Sequence, residues 1–140
     1  MKLDDLPLYV RDLKARFVAG DFSLVLTKIR AAMQADVMAE FDSSQTPWGT
    51  PWEPLADGSG RRPLVKSGNL LAGVLESVSN AEIGRSSIRI RYGGPAYGMF
   101  HQTGTATIPA RPFWGICQQR VDEFTRMLTV EATKVILGKS

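Results

Sequence analysis

Cys117 and His101 are the only two residues of this chain that can form a thiol–imidazole pair, because the sequence contains one cysteine and one histidine. Nucleophilic catalysis by such a pair needs the two side chains within hydrogen-bonding distance, usually with a third group that orients the imidazole. No motif places them side by side. Cys117 falls on the apolar stripe predicted for the last helix, where a free cysteine behaves as a small hydrophobic residue. His101 is expected to be a structural or interface histidine, so we expect that the chain is not an enzyme.

Metal and cofactor chemistry is also not expected. A single cysteine and a single histidine exclude an intrachain disulfide and most zinc sites, which need three or four nitrogen or sulfur ligands. The glycines around residues 58–60 are not followed by the lysine and hydroxyl residue of a phosphate-binding loop, and Gly93-Gly94 lacks the spacing of a dinucleotide-binding motif. We therefore predict no metal and no cofactor.

Arginines suggest binding rather than catalysis. The net charge is only +3, but residues 83–121 contain no Asp or Glu. The arginines of that stretch are Arg85, Arg89, Arg91, Arg111 and Arg120. Strand-like alternation over residues 87–92 places Arg89 and Arg91 on one face, opposite two isoleucines and Tyr92. This face is suited to an acidic protein partner or to a phosphate backbone, or it is simply a solvated surface. No helix-turn-helix, zinc-finger or RNA-recognition signature accompanies it.

Periodicity predicts the elements that carry these residues. Helical spacing of apolar residues indicates two N-terminal helices, over residues 6–17 and 22–41, with Asp5 and Asp21 as caps and Gly20 between them. Ser67 can cap a short third helix. Residues 75–81 and 87–92 are predicted to form a β-hairpin with a turn at 82–86.

The remaining segments complete the expected fold. Residues 96–102 favour a helical turn that stops near Gly104, and residues 105–108 favour a short strand. Residues 117–135 keep helical spacing. The expected class is α+β, with two N-terminal helices, a small antiparallel sheet built on a hairpin, and a long C-terminal helix.

Length and composition favour one soluble domain over residues 1–140, since 44% of the residues are hydrophobic and 22% are charged. No apolar run approaches the roughly 18 to 20 residues that cross a bilayer. The acidic N-terminus does not resemble a signal peptide, so we expect synthesis in a cytoplasm and no membrane partner.

A long segment rich in Pro, Gly and Trp, residues 43–66, interrupts the periodicity. Loops of this length in a compact domain are usually functional or disordered. It carries Trp48 and Trp52, and disordered linkers are poor in aromatic residues. We therefore expect part of the loop to dock on its own chain or on a neighbour.

Four sequence segments are spread over roughly residues 38–116. They are Pro47-Trp48-Gly49-Thr50-Pro51-Trp52-Glu53-Pro54-Leu55, Leu64-Val65-Lys66-Ser67-Gly68-Asn69-Leu70, Tyr97-Gly98-Met99-Phe100-His101-Gln102-Thr103-Gly104 and Ile108-Pro109-Ala110-Arg111-Pro112-Phe113. In this order they resemble the virion morphogenesis (tail completion) family of Mu-like and related tailed phages. The family patterns are P-x-G-x-x-W-x-P-L, L-x-x-[ST]-G-x-L, Y-[AG]-x-x-H-Q-x-G and I-P-A-R-P-F. This chain departs from them in having Trp48 before the glycine and a short stretch after Gly104.

The resemblance implies a structural protein that completes the tail and enables head–tail joining, assembled in the bacterial host cytoplasm and located in the virion at the tail or the head–tail junction. Its expected partners are further copies of itself, possibly arranged as a ring in the manner of related neck and tail proteins, and other tail and neck proteins. The alternative is a morphogenesis factor that contacts DNA non-specifically through residues 85–91.

Eight residues are predicted to contribute to a subunit or partner interface. They are Trp48, Trp52, Arg89, Arg91, Tyr97, His101, Gln102 and Arg111. Each has an alternative role in maintaining the fold: Arg111, for example, can hold a carboxylate or backbone carbonyls between its flanking prolines.

Overall fold

The computed structural model describes residues 6–65 and 68–138 of the chain. Within those residues it contains helices and a two-stranded antiparallel sheet, so the predicted α+β class is confirmed. The elements are α1 (Leu6–Ala19), α2 (Ser23–Ser43), α3 (Asn69–Ser79), β1 (Glu82–Ile83), β2 (Ile88–Arg89), α4 (Gly98–Thr103) and α5 (Gln118–Ile136). None of the helices in the described ranges has the length and apolarity needed to cross a membrane.

The two N-terminal helices begin and end close to the predicted positions. Gly20 follows α1. Phe22, and not Asp21 as predicted, occupies the N-cap position of α2, but the Asp21 carboxylate accepts a hydrogen bond from the Ser23 backbone N–H at 2.9 Å, which satisfies a free donor at the start of the helix. The backbone turns away at Ser44, which adopts a left-handed conformation with φ of 55°. The other two predicted caps, Asp5 and Ser67, lie outside the described residues.

The predicted strand at residues 75–81 is wrong, because α3 continues to Ser79. Leu70, Val74 and Val78 are all buried at a spacing of four residues, which is the period of a helix and not of a strand. The hairpin exists but is shorter and begins later. β1 pairs with β2, Ile83 lies opposite Ile88, and residues 84–87 form the turn.

The predicted strand at residues 105–108 is also wrong. The Thr105 backbone N–H donates to the Ile108 carbonyl at 2.8 Å, and the Thr105 hydroxyl accepts from the Ile108 N–H at 3.0 Å. A threonine hydroxyl that bonds to nearby backbone competes with sheet pairing, so the segment closes on itself as a turn. The prediction that Cys117 lies on the apolar stripe of the last helix is wrong, because Cys117 immediately precedes α5.

Two hydrophobic clusters make up the interior of the described residues, and α2 contributes to both. The first cluster contains Phe22, Val25, Leu26, Ile29 and Phe124. The second contains Phe41, Trp52, Leu70, Val74 and Phe113. At 21 residues, α2 is about 30 Å long, which allows one helix to reach both clusters.

An ion pair fixes the beginning of α5 against the middle of α2. The Arg120 guanidinium binds Asp36 with two hydrogen bonds, Nη2 to Oδ1 at 2.6 Å and Nε to Oδ2 at 2.7 Å, and also binds Glu123 at 2.7 Å. The two carboxylates hold the pKa of Arg120 above its ordinary value. A two-bond arginine–carboxylate pair restricts orientation as well as distance, so it sets how the two helices meet.

Candidate interaction surface

The four sequence segments, although far apart in the chain, converge on the second hydrophobic cluster. Trp52, Leu70 and Phe113 come from the first, second and fourth segments, and all three are buried there. The third segment forms α4, whose Gly98 lies against Leu70. The segments therefore build one structural unit.

Gln102 of α4 holds the fourth segment through three hydrogen bonds. Its Oε1 accepts from the backbone N–H groups of Phe113 and Trp114, each at 3.0 Å, and its Nε2 donates to the Trp114 carbonyl at 3.0 Å. One side-chain amide thus supplies hydrogen-bond partners to three backbone groups of two successive residues. We name this arrangement the Gln102 clamp.

Arg111 has the same kind of role on the other side of the segment. Its side chain is only 5% exposed, and it donates to the backbone carbonyls of Glu53 at 2.6 Å and Pro54 at 2.8 Å. Of its two expected roles, the structure shows the binding of backbone carbonyls. Because the guanidinium has several donors in a fixed plane, it ties the long segment at residues 43–66 to the fourth segment.

The two tryptophans of the loop have different surroundings. Trp52 is buried against Phe41, with ring centroids 5.1 Å apart, and its indole N–H donates to the Pro112 carbonyl at 2.7 Å. Trp48 is 55% exposed, and part of its ring covers Gly115. Part of the loop therefore docks on its own chain as expected, through Trp52, while Trp48 stays accessible.

Two glycines of the third segment occupy positions where a side chain would collide. A Cβ at Gly98 would lie 2.1 Å from the Tyr92 hydroxyl oxygen. Gly104 has a φ of +75°, and a Cβ there would lie 2.9 Å from the backbone nitrogen of Ala110. Close backbone approach and a left-handed turn both favour glycine, so α4 is held tightly at its two ends.

Tyr97 and His101 lie one helical turn apart with their ring centroids 6.0 Å from each other. Both line a cavity of about 560 Å³ to which Arg61, Arg62 and Arg111 also contribute. Burial and the positive charge of Arg111 lower the pKa of His101, which favours the neutral imidazole. The Nδ1 atom is buried and has no hydrogen-bond partner among the described residues.

The outward side of α4 is apolar. Met99 is 55% exposed, Phe100 is 56% exposed and Tyr97 is 42% exposed, while Gln102 of the same helix points inward to the clamp. We name these three side chains the α4 apolar face. Tyr97 is among the residues predicted from the sequence to contribute to an interface, whereas Met99 and Phe100 are not. Two adjacent large apolar residues in so short a helix were the available signal, since both cannot be accommodated by the same packed side.

Arg89 and Arg91 lie apart from this unit, beside the hairpin. Both are exposed, as their predicted face requires, and they line a small cavity of about 170 Å³ together with Glu76 and Glu82. Arg85 does not extend this surface freely, because its guanidinium donates to the Ala19 carbonyl. The two glutamates offset part of the positive charge.

The residues considered for catalysis are not brought together. His101 lines the cavity beside α4, whereas Cys117 lines a different, apolar groove. Over the described parts of the chain, no group of three or more histidine, cysteine or acidic residues is placed to hold a metal ion.

Comparison with known proteins gives one informative match. The chain is 28% identical to Mu-like prophage FluMu G protein 1 of Haemophilus influenzae, over 79% of this chain and 80% of that protein. No family model matches the chain, and no solved structure matches it. The match confirms the resemblance to proteins of Mu-like phages and supports a role as a phage protein.

Proposed function

We propose that this relative of Mu-like prophage proteins is a structural, non-enzymatic assembly protein that completes the phage tail and enables head–tail joining as an oligomer, arranged as a ring. The observation that carries the proposal is the α4 apolar face. Met99 and Phe100 are exposed on a helix that the Gln102 clamp and two restrictive glycines hold in place, and Tyr97 is exposed immediately before that helix. A rigid exposed apolar patch is typical of a surface that binds another protein.

A ring is favoured by symmetry. Interfaces in which two different surfaces of one protein meet close into a ring when the rotation per subunit permits it. Further tail and neck proteins are then the partners on the two open sides of the ring, and the virion tail or head–tail junction is the location.

Deletion of this gene alone from the phage or prophage tests the proposal. Electron microscopy of the lysate should show filled heads beside separate, unjoined or overlong tails. Normal infectious particles would overturn the completion role. Empty heads would move the function to DNA handling.

Complementation of that deletion tests the α4 apolar face. Met99→Asp together with Phe100→Asp should leave the protein folded but fail to restore joined particles, because carboxylates cannot be buried unpaired in an interface. Val130→Asp is the control, since Val130 is 50% exposed on α5 and has no place in the clamp. Equal restoration by both variants would refute the role of this face.

Binding to DNA through Arg89 and Arg91 is the second candidate, favoured by the exposure of both side chains on one face. Contacts with phosphates release counterions, so affinity for DNA should fall steeply with added salt, whereas an apolar interface should not weaken in this way. Arg89→Ala combined with Arg91→Ala would reduce the salt dependence if this candidate is correct.

A further inference from the structure

An apolar groove of about 500 Å³ lies between α2, α3 and the segment before α5. Most of its α2 wall is formed by residues at helical spacing, Ile29, Met33, Asp36, Val37 and Glu40. A cavity of this volume lies within the range of roughly 300 to 1,000 Å³ that is typical of small-ligand sites. It can therefore admit a few side chains of a helix but not the whole helix.

Glu40 gives the groove an unmatched charge. Among the described residues its carboxylate has no cationic partner, whereas the nearby Asp36 is paired with Arg120. A half-buried carboxylate in an apolar cavity loses hydration, so a cation supplied by an occupant would stabilise it.

Helix α1 has the complementary surface. Val10 is 54% exposed, Phe17 is 48% exposed and Val18 is 72% exposed, and Lys14 lies between them at a spacing of four residues, also exposed. The four side chains therefore share one face of the helix. We name this set the α1 stripe. α1 packs against α5, and the Phe17 ring lies 5.7 Å from that of Phe22, centroid to centroid, but the apolar side chains of the stripe stay about half exposed or more. A contiguous exposed apolar stripe of this kind favours burial against a partner.

We propose that the α1 stripe of one copy docks in the apolar groove of a second copy, with Lys14 of the first pairing with Glu40 of the second. The apolar side chains of the stripe match the apolar walls of the groove, and one lysine matches a carboxylate that has no cationic partner in the described part of the chain. Because the two surfaces lie on different parts of the same chain, the contact is head-to-tail and generates a ring or an open chain. The inference rests on the oligomer of the proposed function and names its interface.

The contact has a pH dependence. Loss of hydration and the neighbouring Asp36 raise the pKa of Glu40 to about 7. The other titratable or charged groups that line the groove are Asp36, Arg120 and Cys117. Pairing with Lys14 requires the ionised carboxylate, so association releases a proton and should strengthen as the pH rises from 6 to 8.

Charge reversal tests the pairing in sedimentation velocity experiments on the full chain. Lys14→Glu and Glu40→Lys should each weaken self-association by at least about tenfold, because like charges then face each other. The two changes together should restore it. Lys28→Glu and Glu53→Lys, which alter exposed residues outside both surfaces, are the matched controls. Single reversals without effect, or a double reversal that fails to recover association, would overturn the pairing.

Cysteine cross-linking tests the same contact during phage assembly. Val10→Cys or Val18→Cys, oxidised in lysates, should form disulfides with the native Cys117 of a neighbouring copy and give a ladder of multimers. The ladder should disappear when Cys117→Ser is added, and a ladder that persists or never forms would overturn the contact. A monomeric protein whose deletion still gives unjoined tails would refute this interface and the ring, and would leave the completion role of the proposed function standing. If the protein forms the cross-linked multimers but deletion of its gene gives normal particles, the interface stands and the proposed function is refuted.

Discussion

Replacement of Gln102 by methionine tests whether the clamp holds the fourth segment in place. Methionine has a similar length but lacks the amide, so Gln102→Met leaves two backbone N–H groups and one carbonyl, those of Phe113 and Trp114, without their partners. A hydrogen bond contributes about 0.5–1.5 kcal/mol net, and a buried polar group left unpaired costs about 1–3 kcal/mol. Because Trp114 and Gln102 are only half-buried, water replaces part of the loss. We expect a loss of about 2–4 kcal/mol in the free energy of unfolding.

Urea denaturation followed by tryptophan fluorescence measures this loss. With a slope of about 2 kcal/mol per molar, the midpoint should fall by about 1–2 M. Gln34→Met is the matched control, because Gln34 makes a single exposed side-chain hydrogen bond, to Ser79 Oγ at 2.6 Å. That change should cost less than about 1 kcal/mol.

Gln102→Glu separates the two kinds of bond. The carboxylate still accepts from both N–H groups but no longer donates to the Trp114 carbonyl, so its stability should lie between those of the native chain and Gln102→Met. If Gln102→Met and Gln34→Met lower the midpoint equally, the clamp does not stabilise the fold and the reasoning is refuted.

Three further tests concern the packing of the chain and the charge of Glu40. In urea denaturation, Trp52→Phe should lower the free energy of unfolding by about 1–3 kcal/mol, since it removes a buried indole hydrogen bond. Trp48→Phe should change it by less than about 0.5 kcal/mol, because Trp48 is exposed. Equal losses would contradict the burial of Trp52 and the exposure of Trp48. Gly73→Ala should lower the thermal midpoint although alanine favours helices by about 1 kcal/mol, because the new Cβ would lie 2.7 Å from Gly94 Cα; a higher midpoint would contradict this contact. Glu40→Gln should stabilise the isolated subunit by about 1 kcal/mol at pH 8 but not at pH 4. The pKa of Glu40 is raised to about 7, so its ionised carboxylate destabilises the fold increasingly as the pH rises from about 4.5 to 7. A gain in stability that is independent of pH would refute this effect of the carboxylate charge.

The long helices could be predicted from the sequence because their signals are local. The apolar spacing over residues 22–41 repeats for several turns, and Gly20 and Asp21 mark the junction before it. The error at residues 75–81 has a physical reason. Short apolar runs fit a strand as well as a helix, and only the packing of Val74 and Val78 on one side of α3 decides between them.

The sequence allowed candidate interface residues to be named, but it could not separate residues that maintain the fold from residues that are exposed for a partner. Trp52, Gln102 and Arg111 are polar or amphipathic, and their types suit an interface as well as a fold. Their partners lie far away in the chain: Arg111 binds the carbonyl of Glu53, and Trp52 binds that of Pro112. Such pairings depend on tertiary structure, which periodicity does not contain. The interface itself remains a prediction for all eight residues.

The structure separates the residues of the four sequence segments into those that maintain the fold and those that are exposed. Their polar side chains, Gln102 and Arg111 above all, bind backbone groups of their own chain, so a change at these positions should first impair folding. The exposed residues beside them, Trp48, Met99 and Phe100, should instead impair assembly with the fold intact. Loss of soluble, folded protein and loss of joined particles should therefore separate between the two sets, even though their members are neighbours in sequence. If substitutions in both sets caused the same defect, the α4 apolar face would be a part of the fold and not a surface for a partner.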